Sequence, residues 1–347
     1  MIVDEHGGWA GILGSLVAGI DLTPAQTRAA LTSILEGEAA DSQIAGFIIA
    51  LGMKGGTVPE LSGLVDAMLD AASPLDLPDG TIDIVGSGGA PTRRRQALSV
   101  STIAAFVAAA AGAVVCKHGS VRASSSSGSF DTLQALGIGI ELDGGAVRRC
   151  VDEAGIGFAF AKAFHAAMRH AGPVRAELGV PTVFNFLGPL SHPGRVRRQV
   201  VGTSDPVMQP RMAGVLAARG SEHALVVRGN DGLDELTTTD VTRVYEIRAG
   251  EVVGVYDVDA AELGLARVHR EDLVGGTPEQ NAGITHAIFA GEDQGPRRDI
   301  VVLNAAAGLY VAGLVDDIGA GLELATAAID DGSAAAKLEQ VIALTNG

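Results

Sequence analysis

The chain has 347 residues and a formal net charge of −16, from 41 acidic against 25 basic side chains. With 47% apolar and 19% charged residues it can bury one large or two ordinary cores, which excludes a disordered chain. The acidic balance argues against a nucleic-acid partner, and two cysteines are too few for a disulfide scaffold or a four-cysteine zinc site.

Asp4 and Glu5 stand where a signal peptide carries basic residues, and no apolar run reaches about 18 residues. The expectation is a cytoplasmic chain with no membrane contact. Thr23-Pro24-Ala25-Gln26 orders a cap residue, a first-turn proline and a returning glutamine, which predicts a helix carrying Ala30, Leu31, Ile34 and Leu35. A second helix follows Asp41, with Ile44, Phe47, Ile48 and Leu51 on one stripe. Thr57-Val58-Pro59-Glu60 is another capping box and opens a third helix through Leu64, Val65, Met68 and Leu69. The turn-rich segment Ser73–Gly80 then separates this helical part from a different pattern.

Beyond the linker, strands and helices alternate. Strands are predicted at Thr81–Val85, Ala113–Cys116, Gly157–Ala161, Val200–Gly202 and Ala224–Val227, and helices at Ser101–Ala111 and Asp131–Leu136. That order indicates an α/β sheet. Val244–Arg248 and Glu251–Tyr256, joined by Ala249-Gly250, read as an antiparallel hairpin, and the chain turns helical again from Asp299. Thr182–Leu187 with Gly188-Pro189-Leu190 reads as a packed segment and a turn. Cys116 and Cys150 lie in apolar surroundings and are expected as buried thiols.

Three loops at predicted strand ends can carry chemistry. Gly86-Ser87-Gly88-Gly89 exposes backbone N–H groups, and the helix behind it opens with Ser99, Ser101 and Thr102. Both features suit a phosphate, although a plain glycine turn has the same residues. Lys117-His118-Gly119-Ser120 and Ser124–Ser129 supply a cation and small hydroxyl donors, or simply a polar loop. Asp231-Gly232-Leu233-Asp234-Glu235 offers adjacent carboxylates for a hard cation such as Mg²⁺, or a solvated acidic turn. His118 and His165 are either ligand groups or structural histidines satisfied by backbone. Arg175 can hold a carboxylate bidentately, Asn185 accompanies them, and Arg93-Arg94-Arg95 is by default a solvated run.

Taken together these segments resemble the anthranilate phosphoribosyltransferase family of tryptophan synthesis. The likeness is carried by Gly86-Ser87-Gly88-Gly89, Ser99-Val100-Ser101-Thr102, Lys117-His118-Gly119-Ser120 and Ser127-Gly128-Ser129-Phe130-Asp131. Gly155–Phe158, Pro173-Val174-Arg175, Phe184–Leu190, Asp231–Leu236 and Lys54-Gly55-Gly56 extend it over nearly the whole chain, in one order. The resemblance implies a small N-terminal helical domain over 1–78, joined by part of 172–195. It implies a large α/β domain around a mixed central sheet over 79–347, and a homodimer through the helical domain. The implied enzyme moves 5-phosphoribosyl from phosphoribosyl pyrophosphate to the amine of anthranilate and releases pyrophosphate, with Mg²⁺ as cofactor. Gly86, Ser87, Gly88, Gly89, Ser99, Ser101, Thr102, Lys117 and Ser129 would hold phosphoribosyl pyrophosphate. Ser101, Asp234 and Glu235 would ligate the metal. His118, Ser120, His165, Met168 and Arg175 would line the path of the aromatic acid, with Arg175 on its carboxylate. The nucleophile is a neutral aromatic amine, so no strong general base is required.

The sequence departs from the family pattern at the ligand loops. Ala90-Pro91 follows the glycine turn in place of Asp-Gly, and the loop carrying Arg93–Arg95 is about three residues longer by comparison of family spacing. Ser99 and Ser120 replace asparagines, Val121-Arg122-Ala123 displaces an arginine, and Met168 replaces a tyrosine or similar residue. Losing a donor to a substrate group weakens discrimination. Two alternatives therefore stand beside the implied function: a paralogue with another aromatic acceptor, and a catalytically silent binding protein on the same fold.

Overall fold

In the computed structural model, which describes residues 2–88, 98–121 and 128–347, both capping boxes form. The helical part comprises α1 (Gly8–Val17), α2 (Pro24–Leu35), α3 (Asp41–Lys54) and α4 (Val58–Asp70). Thr23 Oγ1 accepts from the Gln26 N–H at 3.3 Å while Gln26 Oε1 accepts from the Thr23 N–H at 2.9 Å, starting α2. At α4 the returning residue is Glu60, which is fully buried and accepts from the N–H groups of Thr57 (2.8 Å) and Leu22 (2.9 Å) and from Lys54 Nζ (2.8 Å). Lys54 also reaches Asp21 at 2.6 Å. The helical start of α4 is thus tied to α3 and to the loop before α2 by one buried carboxylate.

The α/β part continues with β1 (Ile82–Gly86), α5 (Val100–Ala110), β2 (Val115–Gly119), α6 (Ser129–Ala135), α7 (Gly144–Ala154), β3 (Ile156–Phe160), α8 (Ala161–Phe164), α9 (Gly172–Leu178) and α10 (Phe184–Leu190). It goes on with β4 (Arg198–Gly202), α11 (Met208–Ala218), β5 (His223–Gly229), β6 (Thr242–Arg248), β7 (Glu251–Val258), α12 (Pro278–Phe289), α13 (Pro296–Ala312), α14 (Ile318–Asp330) and α15 (Ser333–Asn346). The sheet order is β3-β2-β1-β4-β5-β6-β7, with β1 to β5 parallel and β6 and β7 antiparallel. The hairpin turn places Ala249 at φ +48° and Gly250 at φ +81°, the left-handed pair that a two-residue turn needs.

Each sheet face buries its own apolar core. Ile82, Ile84, Val200 and Leu225 pack under α5 and α13, with α14 and α15 outside them. Val85, Val201, Val226 and Ile247 face α11 and share a core with α1 to α4 and with Val174, Phe184 and Leu187 of α9 and α10. Strands covered on both faces read as continuous apolar runs, which is why alternation is weak in the sequence.

Two expectations are corrected here. The second strand runs Val115–Gly119, not Ala113–Cys116, because β2 pairs with β3 through Gly119↔Phe160. Lys117 and His118 are therefore strand residues on opposite faces, not loop residues. The expected turn at Gly188-Pro189-Leu190 is the last turn of helix α10. That helix is held at its start by Asn185 Oδ1, which accepts from the Thr182 N–H (3.2 Å), and at its end by Ser191 Oγ, which donates to the Leu187 carbonyl (2.6 Å).

Candidate active site

The chain leaves β1 toward β2 and β3 on one side and later adds β4 and β5 on the other, so the sheet order reverses between β1 and β4. Ligands of open parallel sheets bind at the carboxyl ends of strands beside such a reversal. Here those ends are Gly86 and Gly202, which are register partners, and the Ser87 N–H donates to the Gly202 carbonyl at 2.8 Å. The loop after β5 folds across both. A Cβ on Gly86 would stand 2.6 Å from Asp234 Oδ2, and one on Gly202 would collide with the Asp234 carbonyl. Asp234 Oδ2 in turn accepts from the Gly88 N–H at 2.8 Å, with Gly88 in the left-handed region at φ +63°. The two strand-end glycines are thus required by the close approach of one acidic loop.

Asp231, from the same acidic run, has a structural task. Its carboxylate accepts from the Leu233 N–H (3.0 Å), from Thr237 Oγ1 (2.9 Å) and from Thr239 Oγ1, closing the loop on itself. Asp234 and Glu235 remain at the strand tips. Among the described residues no group of three or more His, Cys, Asp or Glu could hold a metal ion unaided. Two adjacent carboxylates suit Mg²⁺, which keeps few protein ligands and shares the rest of its oxygens with substrate phosphates. Ser101 stands in the first turn of α5.

The segments that follow β1 and β2 carry hydroxyls. Ser87 Oγ and Thr102 Oγ1 are buried and have no hydrogen-bond partner among the described residues. Ser99 Oγ pairs with Thr132 Oγ1 at 2.8 Å, and Ser129 Oγ donates to the Ser120 carbonyl at 3.3 Å. A Cβ on Gly119 would strike Ser129 Oγ, so this glycine lets the tip of β2 touch the start of α6. Gly89, Ala90, Pro91, Arg93, Arg94 and Arg95 lie outside the described residues, as do Arg122, Ala123 and Ser124–Ser127.

Lys117 is only 1% exposed, and its Nζ donates to the Ile84 carbonyl at 2.6 Å. Burial lowers its pKa against the pull of Asp83, Glu235 and Asp234. It is a cation beneath the strand tips, not the solvent-facing one the loop reading implied. Its counterpart Asp83, fully buried on β1, accepts from the His118 N–H at 3.2 Å, and burial pushes its carboxyl up to about 7 against Lys117.

On the opposite face three histidine rings cluster. His118 lies 5.3 Å from His165 and 5.6 Å from His192, ring centre to ring centre. His118 Nδ1 is 3.2 Å from the Gly188 carbonyl, His165 Nε2 is 3.0 Å from the Ser191 carbonyl, and His192 Nε2 is 2.9 Å from the Cys116 carbonyl. A carbonyl only accepts, so each of these ring nitrogens carries its proton. Burial lowers all three pKa values, that of His192 to about 4. Met168 packs against the helical core beside Ala167. Arg175 is partly buried on α9 with its guanidinium 5.4 Å from the centre of the Phe184 ring, and it forms no ion pair among the described residues. Ser120 is exposed at the end of β2, and Asn185 caps α10.

Asp83, His192 and Gln199 were absent from the sequence reading. Asp83 was detectable as a lone carboxylate inside the apolar run Ile82–Val85. The other two become visible only once the Gly188–His192 segment is seen against the sheet, where Gln199 Nε2 donates to the Pro189 carbonyl at 3.3 Å.

Comparison with known proteins agrees with this architecture. Residues 10–72 match the glycosyl transferase family, helical bundle domain, and residues 79–335 match the glycosyl transferase family, a/b domain. An anthranilate phosphoribosyltransferase of Arthrobacter sp. (strain FB24) is 48% identical over 345 residues, 98% of this chain and 96% of that protein. One from Nocardioides sp. (strain ATCC BAA-499 / JS614) is 49% identical over 342 residues, 97% and 98% of the two chains. The crystal structure of anthranilate phosphoribosyltransferase from Thermus thermophilus covers 97% of this chain and 99% of its own, with a TM-score of 0.91 at 38% identity. The Saccharomyces cerevisiae enzyme in complex with PRPP and Mg covers 100% of this chain and 99% of its own, with a TM-score of 0.89 at 26% identity. The matches to a helical bundle domain and an a/b domain of the glycosyl transferase family place the chain in that class. More narrowly, the chain belongs to the anthranilate phosphoribosyltransferase family.

Proposed function

We propose that the strand tips bind phosphoribosyl pyrophosphate with Mg²⁺ and that the histidine–arginine side receives anthranilate, the amine of which takes the ribosyl group. The carrying observation is Asp234 lying against Gly86, Gly88 and Gly202, with the intervening Ser87 hydroxyl buried and without a partner among the described residues. Native proteins rarely leave such an atom unsatisfied, and a phosphate oxygen would accept from it.

In this reading Gly86, Ser87, Gly88, Ser99, Ser101, Thr102 and Ser129 contact the phosphates. Gly89, the remaining member of that set, lies outside the described residues. Lys117 acts from beneath, with Asp83 as its buried counterpart. Asp234, Glu235 and Ser101 would hold Mg²⁺, which would supply positive charge for the leaving diphosphate. Arg175 pairs with the carboxylate of the aromatic acid, with His118, Ser120, His165 and Met168 around the ring. Fixed donors favour the charge that develops as the C1–O bond breaks, and holding amine and C1 together removes the entropic cost of their encounter.

The test is loss of anthranilate fluorescence with phosphoribosyl pyrophosphate and Mg²⁺. Turnover that requires all three supports the reading, and binding of the diphosphate without anthranilate turnover refutes it. We also infer a homodimer through the helical part. Met53, 84% exposed, opens onto a cleft of 550 Å³ shared with Ile49, Pro181, Phe186 and Val207. Sedimentation velocity decides between a dimer and a monomer.

A further inference from the structure

The loop that carries Asp234 and Glu235 is fastened by a side chain from the far side of the sheet. Its own hydrogen bonds hold its two ends: the Gly229 N–H donates to the Leu233 carbonyl at 2.9 Å, and the Thr237 N–H donates to Thr242 Oγ1 at 3.0 Å. Between them Leu236 is fully buried, so both its backbone groups need partners away from water. Asn304, in the middle of α13 and 2% exposed, supplies both. Its Oδ1 accepts from the Leu236 N–H at 3.1 Å, and its Nδ2 donates to the Leu236 carbonyl at 2.9 Å. Nδ2 also donates to the Ile300 carbonyl one turn back, at 2.8 Å, which fixes the amide against its own helix. This pattern allows one amide orientation, with oxygen toward the N–H and nitrogen toward the two carbonyls. The helix is itself set close to the sheet. Four residues on, along the same face, stands Gly308, where a Cβ would lie 2.6 Å from Ile84 Cδ1 of β1. The acidic pair is therefore held between two points: the Gly88 N–H, which donates to Asp234 Oδ2, and Asn304 on the residue next to Glu235.

We infer that Asn304 is a positioning residue of the diphosphate site: by clamping Leu236 it sets where the Asp234 and Glu235 carboxylates stand at the strand tips. The inference rests on the proposed function, which gives those carboxylates to Mg²⁺ and the diphosphate. Asn304 acts through the loop and not on a reacting group. Carboxylates already held in place need no ordering when the diphosphate binds, so the entropy of fixing the loop is kept out of the binding step. Without the amide, Leu236 would bury an unpaired N–H and an unpaired carbonyl, and the loop would relieve that cost by shifting toward water. Such a shift carries the neighbouring carboxylates with it.

Calorimetric titration of phosphoribosyl pyrophosphate in saturating Mg²⁺ separates this role from a merely structural one. Asn304→Ala is expected to weaken binding about 10- to 100-fold, the range for residues that orient the ligands of a metal, with the acceptor KM unchanged. The same substitution is then made in a chain that already carries Asp234→Asn and Glu235→Gln. There it is expected to change the remaining affinity by less than about threefold, since the groups it places are gone. A general loosening of the fold would weaken binding alike in both backgrounds. An equal loss in the two, or no loss in the wild-type background, overturns the inference. Should Asn304→Ala fail to fold, or the chain without carboxylates bind too weakly to titrate, amide hydrogen exchange of the wild type decides. The Leu236 N–H is expected to be protected already without phosphoribosyl pyrophosphate and Mg²⁺, because Asn304 holds it. A Leu236 N–H that exchanges freely until the diphosphate binds overturns the inference. Failure of the wild-type chain to bind phosphoribosyl pyrophosphate at all is a separate failure, that of the proposed function.

Discussion

Arg175 illustrates what a single side chain implies when it lacks a charge partner. Its guanidinium stacks over Phe184, and burial lowers its pKa with no carboxylate among the described residues to offset that. An anionic ligand would compensate. Arg175→Ala is expected to weaken the aromatic acid by about 2 kcal/mol, read as roughly a 30-fold rise in acceptor KM with the KM for phosphoribosyl pyrophosphate unchanged. An unchanged acceptor KM removes Arg175 from the site. His192 gives a second prediction at this scale. Its folded pKa of about 4 lies below the ordinary 6.5, so the folded state resists protonation. A depressed folded value contributes stability that is complete above pH 6.5 and is lost as pH falls through about 4. The loss should total about 3 kcal/mol. Urea unfolding of the wild type across that window should be steeper in pH than that of His192→Asn, and equal slopes contradict the assignment. The sequence showed Arg175 and two of the histidines as candidates. It did not show how the histidines are used, since a tautomer depends on which carbonyl the fold brings to each nitrogen.

At the scale of elements, the helical part was legible because its signals are local. Capping residues, prolines and apolar stripes lie within one turn of each other, and α2, α3 and α4 begin where those signals stand. The use of Glu60 was not legible, because Leu22 and Lys54 reach it from other elements. Glu60→Gln leaves Lys54 with exposed Asp21 as its one charged partner among the described residues and is expected to cost about 3 kcal/mol in chemical denaturation, the scale of breaking a buried ion pair. A cost within about 0.5 kcal/mol of zero, that of a neutral surface change, would mark the pair as incidental. Strand β2 was misplaced by two residues at its start and three at its end because Lys117 and His118 read as loop chemistry. A sheet tolerates them there: Lys117 finds the Ile84 carbonyl and the nearby Asp83 charge, and His118 finds Gly188. The last three residues of α10 were read as a turn because Gly188 and Pro189 break helices in isolation. Hydrogen bonds from His118 and Gln199 to their carbonyls hold it against the sheet.

For the whole molecule, the function depends on where the sheet order reverses. Three loops far apart in sequence were each weak evidence of a site, because a glycine turn, a polar loop and an acidic turn are common alone. The fold brings the first and third together: Gly86 and Gly202 end adjacent strands, and the Asp234 loop crosses both. The tip of β2 joins through Lys117, whose pKa the carboxylates of Glu235 and Asp234 raise against its burial. No local pattern encodes that convergence. It follows from a parallel order that a reader of the sequence can name only as an α/β sheet. The most direct measurement of the central claim is calorimetric titration of phosphoribosyl pyrophosphate in saturating Mg²⁺ into the wild-type chain and into Asp234→Asn. One strand-tip diphosphate site predicts affinity at least about tenfold weaker in the variant, the loss of one charged contact, with an unchanged melting temperature. Equal affinity in the two proteins would contradict it.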